Sequence, residues 1–353
     1  MKNSRIEWTD HTWNGWRGCT KVSPGCAHCY AEALSLRTGH SAYKKGIPRE
    51  RLSEANWRKP IQWNSVAEDF AECTGCGGRG FQSTWIEDIR KTHPTALSCC
   101  PEIKLIPARQ RVFCSSLSDW LDREVPIEWL ADKLRLIEAT PNLDYLLLTK
   151  RPENFFERVG ECAEKWAVSC EIAVWWAQRG VPPSNVWVGT TIENNELLRR
   201  HYDLMKIPAS VHFWSCEPLL SSLPDASLVW STPLGAPNWV ICGGESGPKA
   251  RPMHPDWARS LRDQCNDAGI PFFFKQWGEW IPWEWDEQRF NDVIYSQHGK
   301  ELWHDEAPRD LLNLPKGWSE IDISYDCTLV QRVGKKTAGR RLDGRDHSEF
   351  PKS

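Results

Sequence analysis

From Arg111 onward the chain alternates short, continuously apolar runs with longer stretches of helical spacing, and this rhythm narrows the possible folds sharply. The runs occupy residues 111–114, 144–148, 185–189, 211–214, 239–242 and 271–274. A strand buried on one face alternates apolar and polar side chains, whereas a strand buried on both faces is apolar throughout. Between the runs, residues 127–139 and 257–268 repeat apolar positions at helical spacing with polar residues opposite. Strands that alternate with helices in this way form βαβ units, and those units build a parallel sheet. The expected class is α/β.

Each apolar run ends abruptly in polar residues or glycine. The followers are Ser115-Ser116, Thr149-Lys150-Arg151, Thr190-Thr191-Ile192-Glu193, Ser215-Cys216-Glu217 and Gly243-Gly244-Glu245-Ser246-Gly247. Parallel α/β folds carry their sites at the carboxyl ends of the strands, so the five tails describe a single rim. Loops are polar in any protein, so it is the recurrence of five such tails, not any one of them, that marks a site.

Composition excludes several function classes. With 44 basic and 47 acidic side chains the net charge is -3, so no global positive field points to nucleic acid or an anionic membrane. The opening residues, Met1 to Trp8, lack an apolar signal core, and no later stretch approaches about 18 uninterrupted apolar residues. A cytoplasmic protein without a membrane partner is expected. Fourteen cysteines in a chain of this length point to metal binding rather than a disulfide scaffold. The 22 tryptophans are spread along the whole chain and are expected to serve mostly as core.

Cys19, Cys26 and Cys29 stand in Gly18-Cys19-Thr20-Lys21-Val22-Ser23-Pro24-Gly25-Cys26-Ala27-His28-Cys29-Tyr30, with six and then two residues between them. Three thiolates on one loop suit a 4Fe–4S cubane with an open iron, because a closed site needs four ligands. Zinc completed by His28 or His11 is the alternative that spacing leaves open.

At this point the chain resembles a known family. The Cys-x-x-Cys-Tyr ending with a third cysteine upstream resembles the radical S-adenosylmethionine superfamily. Six segments resemble, more narrowly, a phage-associated and uncharacterised group of radical-SAM-like proteins: Ile6-Glu7-Trp8-Thr9-Asp10, Gly18 to Cys26, Leu148-Thr149-Lys150-Arg151-Pro152, Cys216-Glu217-Pro218-Leu219-Leu220, Gly243 to Gly247, and Phe273-Phe274-Lys275-Gln276-Trp277-Gly278. They keep their order from about residue 5 to 280. The first spacing departs from the wider superfamily, which usually has three residues there.

The resemblance implies a partial (β/α) barrel of radical-SAM type, with the cluster loop after the first strand and S-adenosylmethionine across the strand ends. Cys19, Cys26 and Cys29 would bind iron and Tyr30 would pack near the cofactor. Ser116, Ser118, Thr191, Glu193, Ser215, Gly243 and Gly244 match cofactor-holding positions, and Lys150, Glu217, Glu245 and Lys275 stand where substrate is expected. The chemistry implied is generation of a 5′-deoxyadenosyl radical, with an electron donor as partner and a nucleotide or nucleic-acid base as substrate. Ordinary rim ion pairs are the competing explanation for the charged residues.

The barrel is expected to begin in residues 1–65 and continue over 109–280. Residues 66–108 interrupt it as a small metal-binding insertion. Cys73, Cys76, Cys99 and Cys100 are expected to hold a structural zinc there, with His93 able to replace one of the adjacent pair. Residues 281–353 read as a C-terminal appendage. A different class of function also fits: a non-catalytic, metal-stabilised nucleic-acid-binding protein that uses the basic stretch from Lys335 to Arg345.

Overall fold

The structure is a computed structural model that describes residues 4, 6–74, 78–82, 105–282, 292–296, 301–302 and 327–351. Seven parallel strands form its centre: β1 (His11–Trp13), β2 (Gln110–Cys114), β3 (Leu143–Thr149), β4 (Val186–Thr191), β5 (Val211–Cys216), β6 (Trp239–Gly243) and β7 (Phe272–Gln276). They lie side by side in sequence order and curl into a half barrel. All six apolar runs are strands; β2 ends with its run at Cys114, and the other five extend one or two residues beyond theirs.

Both faces of this sheet are buried. Toward the helices point Val112, Tyr145, Val188, Trp214, Cys242 and Phe274, which join the main core. The alternate residues Phe113, Leu146, Trp187, Phe213, Trp239 and Phe273 fill the inside of the curl together with Trp8. Continuous apolar runs are the consequence of that two-sided burial. Gly189 on β4 is glycine for a packing reason: a Cβ there would stand 2.4 Å from the Phe213 ring. Among the described residues eight tryptophans, including Trp13, Trp16 and Trp239, are fully buried as core.

Helices α1 (Tyr30–Arg37), α2 (Ile127–Glu138), α3 (Phe155–Lys165), α4 (Arg199–Lys206), α5 (Ala226–Trp230) and α6 (Pro255–Asp267) join the strands. In α2, Leu130, Ala131, Leu134 and Ile137 recur at helical spacing and are completely buried. Among the described residues no helix is long and apolar enough to cross a membrane.

The stretch expected as an insertion begins a separate small sheet of Phe70–Cys73, Arg79–Phe81 and Leu105–Pro107. Cys73 is buried in it, while Cys76, His93, Cys99 and Cys100 lie outside the described residues. Beyond β7, the strands Trp280–Pro282, Asp292–Ser296, Glu301–Leu302 and Cys327–Arg332 make a four-stranded antiparallel sheet. The chain then returns to the barrel. Phe274 N–H donates to the His347 carbonyl at 3.0 Å, so residues 347–349 run antiparallel along the edge of β7. Phe350 follows and packs 4.9 Å from Trp239, with the Arg111 guanidinium 3.7 Å over its ring. Residues after 334 therefore close the floor of the half barrel rather than standing apart from it.

Candidate functional site

The cysteine loop leaves β1 and crosses the carboxyl ends of the strands. Gly18 turns it at φ +108, and a Cβ there would meet the Ala42 carbonyl at 2.6 Å, so only glycine fits. Cys19 N–H donates to that same Ala42 carbonyl at 3.1 Å. A short turn at Pro24–Cys26 brings in Cys26, which is buried, and Cys29 caps the start of α1. Burial pushes the Cys19 thiol up to about 12, with the Asp119 charge adding and the Arg151 guanidinium opposing. Burial also raises Cys29, against the backbone N–H groups of Glu32 and Ala31 at the helix N-terminus.

The six residues between Cys19 and Cys26 are gripped by groups that follow the strands. Arg151, after β3, donates to the Thr20 carbonyl at 2.6 Å and to Cys19 Sγ at 3.5 Å. Glu193, after β4, is wholly buried and accepts from Ser23 Oγ and from Gly25 N–H, each at 2.7 Å. Arg251, after β6, donates to the Pro24 carbonyl at 3.1 Å. Arg49 donates to Thr20 Oγ1 at 2.7 Å and pairs with Asp122 at 2.8 Å. A Cβ on Gly25 would lie 2.4 Å from Glu193 Cδ, so the carboxylate occupies the place a side chain would need.

Charges at the strand ends are paired with opposite ones. Lys150 pairs with Glu193, Lys275 with Glu217, Arg151 with Asp119 at 2.9 Å, and Arg251 with Glu245 at 2.7 Å. Burial alone would raise Glu193, but the Lys150 ammonium and the Ser23 and Gly25 donors hold it below the usual carboxylate value. Asp119 accepts from Thr149 Oγ1 at 2.7 Å and Lys150 N–H at 2.8 Å as well, which locks the turn after β3.

The residues singled out in the sequence divide into groups. Lys150, Glu193, Glu217, Glu245 and Lys275 do converge on the rim, and so do Ser116 and Tyr30, whose hydroxyl donates to the Ser116 carbonyl at 2.7 Å. Glu245 is held by Arg251, with His28 Nδ1 at 3.3 Å, whereas Lys275 points to Glu217. Thr191 and Ser215 are buried side by side in register on β4 and β5. Ser118 Oγ and Glu217 Oε1 are buried acceptors with no hydrogen-bond partner among the described residues.

The two glycines differ. At Gly243 a Cβ would make ordinary contacts at 3.4 Å or more. At Gly244 it would strike the Trp277 carbonyl oxygen at 1.9 Å, so the chain's own backbone, not a ligand, requires glycine there. Sequence reasoning missed Asp119, Arg251, Ser23 and Gly25. Asp119 alone carried a signal, since it follows Ser115-Ser116 at a strand end.

Among the described residues no three His, Cys, Asp or Glu side chains converge as ligands of one metal ion do. A cubane puts each thiolate on a different iron and so spreads its sulfurs wider than a single zinc would. The donor types suit that group: three thiols stand on one loop, and the Arg151 guanidinium, 3.5 Å from Cys19 Sγ, would offset the negative charge of a thiolate there.

The family model described as a protein of unknown function (DUF5131) matches residues 3–351. The chain belongs to the DUF5131 family. The match takes in the cysteine loop, all seven parallel strands and the returning C-terminal segment of this DUF5131 protein as one unit. No curated protein and no solved structure matches the chain.

Proposed function

We propose that this DUF5131 protein is a radical S-adenosylmethionine enzyme. Cys19, Cys26 and Cys29 would hold a 4Fe–4S cluster, and S-adenosylmethionine would lie across the ends of the parallel strands. One observation carries the reading: the three-cysteine loop leaves the first strand of a parallel half barrel and is tied to the ends of β3, β4 and β6 by Arg151, Glu193 and Arg251. When bound, cluster and cofactor supply a 5′-deoxyadenosyl radical able to take hydrogen from an unactivated carbon.

The chain's own groups orient and shield. Arg151 neutralises charge at Cys19, and the aromatic filling of the barrel floor by Trp187, Phe213 and Trp239 keeps water from below the rim. Ser118 Oγ and Glu217 Oε1 offer buried acceptors to a ligand. A substrate of nucleoside, nucleotide or nucleic-acid-base class rests on the resemblance to a phage-associated group and on the Cys73-Thr74-Gly75-Cys76 segment, which suits a structural zinc.

Anaerobic reconstitution tests the proposal. The expected result is a brown protein absorbing at roughly 400 nm with about four irons per chain, and 5′-deoxyadenosine on adding S-adenosylmethionine and dithionite. Cys19→Ala, Cys26→Ala and Cys29→Ala should each lose the iron. Full iron in any one of the three rejects the ligand set, and a colourless zinc protein rejects the cluster.

A further inference from the structure

The three thiols of the loop do not meet the same donors. Cys26 Sγ lies 3.6 Å from Ser23 Oγ, but the single hydroxyl hydrogen of Ser23 goes to Glu193 Oε1 at 2.7 Å, since a carboxylate can only accept. Ser23 can therefore take a hydrogen from Cys26 and give it none. Cys29 stands beside the neutral backbone N–H groups of Ala31 and Glu32, and Lys150, whose charge also reaches it, is bound to Glu193. Cys19 is different. Arg151 donates to its Sγ from both arms of the guanidinium, Nη1 at 3.5 Å and Nη2 at 3.7 Å. Of the three cysteines it alone takes a hydrogen bond from a charged side chain among the described residues.

Arg151 is itself held in place. Nη1 also donates to Asp119 Oδ2 at 2.9 Å, Nη2 to the Thr20 carbonyl at 2.6 Å, and the backbone N–H to Thr149 Oγ1 at 2.9 Å. Asp119 in turn accepts from Thr149 Oγ1, from Lys150 N–H and, at 3.1 Å, from Leu121 N–H. The side chains of Arg151 and Asp119 are only 8% and 5% exposed, so water screens their charges little. Holding the loop does not require the sulfur contact. Cys19 N–H is already bound to the Ala42 carbonyl, Thr20 Oγ1 to Arg49, and Ser23 and Gly25 to Glu193. What the contact adds is positive charge at one ligand atom.

Hydrogen bonds to the ligand sulfurs and the net charge around them help to set the reduction potential of an iron–sulfur cluster. We propose that Arg151 and Asp119 are an opposed pair that sets the reduction potential of a cluster held at Cys19. The guanidinium raises the potential by stabilising the added negative charge, and the carboxylate bound to it lowers the potential in part. This rests on the cluster reading above and deepens it. Arg151 acts through Cys19 and is a positioning residue rather than a group that touches substrate. The couple is one electron added to the oxidised cluster, with no bond made or broken.

The test is a midpoint potential, measured on the reconstituted full chain by anaerobic titration with dithionite and mediator dyes. Arg151→Met should move the potential to more negative values by about tenfold in the oxidised-to-reduced ratio, which is about 59 mV for one electron. Arg151→Lys keeps the charge without the fork and should fall between Arg151→Met and the wild type. Asp119→Asn should move the potential the opposite way, and Arg151→Met with Asp119→Asn should return it toward the wild-type value. A purely structural role would not reverse sign between the two partners. Potentials of the wild type and Arg151→Met within about twofold in that ratio, or shifts of the same sign in Arg151→Met and Asp119→Asn, overturn the inference. Loss of iron from both Arg151→Lys and Asp119→Asn overturns it too, because the pair would then build the loop rather than tune it. A wild type that assembles no cluster at all sinks the radical-enzyme reading itself, and this inference with it.

Discussion

Glu193→Gln offers the sharpest test of how the cysteine loop is held. The carboxylate accepts from Ser23 Oγ and Gly25 N–H at 2.7 Å and from the Lys150 ammonium, and it is wholly buried. Glutamine preserves shape but brings one oxygen and one NH2 group, so at least one donor among the three faces another donor. A hydrogen bond to a charged group contributes about 1.5–3 kcal/mol, and a buried donor left unsatisfied costs a further 1–3 kcal/mol. Lys150 is 23% exposed and recovers part of its loss by turning to water. The net expectation is a loss of about 3 kcal/mol, read from urea unfolding at pH 7. Glu193 lies below its ordinary value of 4.5 in the folded chain, so its contribution is present above that pH and disappears as pH falls through the folded value. The gap between wild type and variant should therefore close in acid. Iron uptake on reconstitution should also fall, because the loop between Cys19 and Cys26 loses its anchor. A variant within about 0.5 kcal/mol of the wild type, with undiminished iron, would refute this account.

Other perturbations discriminate among parts of the fold. Lys133 is fully buried, donates to Ser115 Oγ at 2.7 Å and is pushed down by burial from 10.5 to about 8, so the wild type should gain roughly 3 kcal/mol as pH rises across that window. Lys133→Met should abolish that gain in pH-dependent denaturation, and an unchanged profile would show the amine to be better solvated than its surroundings suggest. Gly244→Ala forces a Cβ against the Trp277 carbonyl and should cost about 3 kcal/mol, while Gly243→Ala should cost less than about 1 kcal/mol; equal thermal stability of the two contradicts the packing. Phe350→Ala removes a ring lying on Trp239 and under Arg111 and should cost about 2 kcal/mol, visible as increased quenching of tryptophan fluorescence by acrylamide.

The barrel was legible because burial on both faces writes itself as an unbroken apolar run, and a strand's polar tail marks its carboxyl end. Strands β2 to β7 were read that way to within a few residues. β1, with only His11, Thr12 and Trp13, carries no such run, and its place rested on the resemblance of the cysteine loop. Partner choice was not legible. Lys275 meets Glu217 because β5 and β7 flank β6, and Glu245 meets Arg251 six residues on because the loop doubles back. Those facts belong to the curl of the sheet, which no local pattern encodes. The requirement for Gly244 was legible as glycine but not in its cause, since the obstructing atom belongs to Trp277 more than thirty residues away.

The interlock between Gly25 and Glu193 has a consequence for how this sequence can drift. The carboxylate fills the volume that any side chain at position 25 would claim, and its oxygens take their donors from the residues around that glycine. Neither position can therefore change by itself without loss. Gly25→Ala becomes tolerable only with a shorter acid at 193, and Asp at 193 leaves a gap that alanine at 25 fills. Across DUF5131 sequences the two positions should substitute as a pair, and a length change between Cys19 and Cys26 should bring with it a change at 193. A double-mutant cycle in which Gly25→Ala and Glu193→Asp together cost less than the sum of the singles would show the same linkage in one protein.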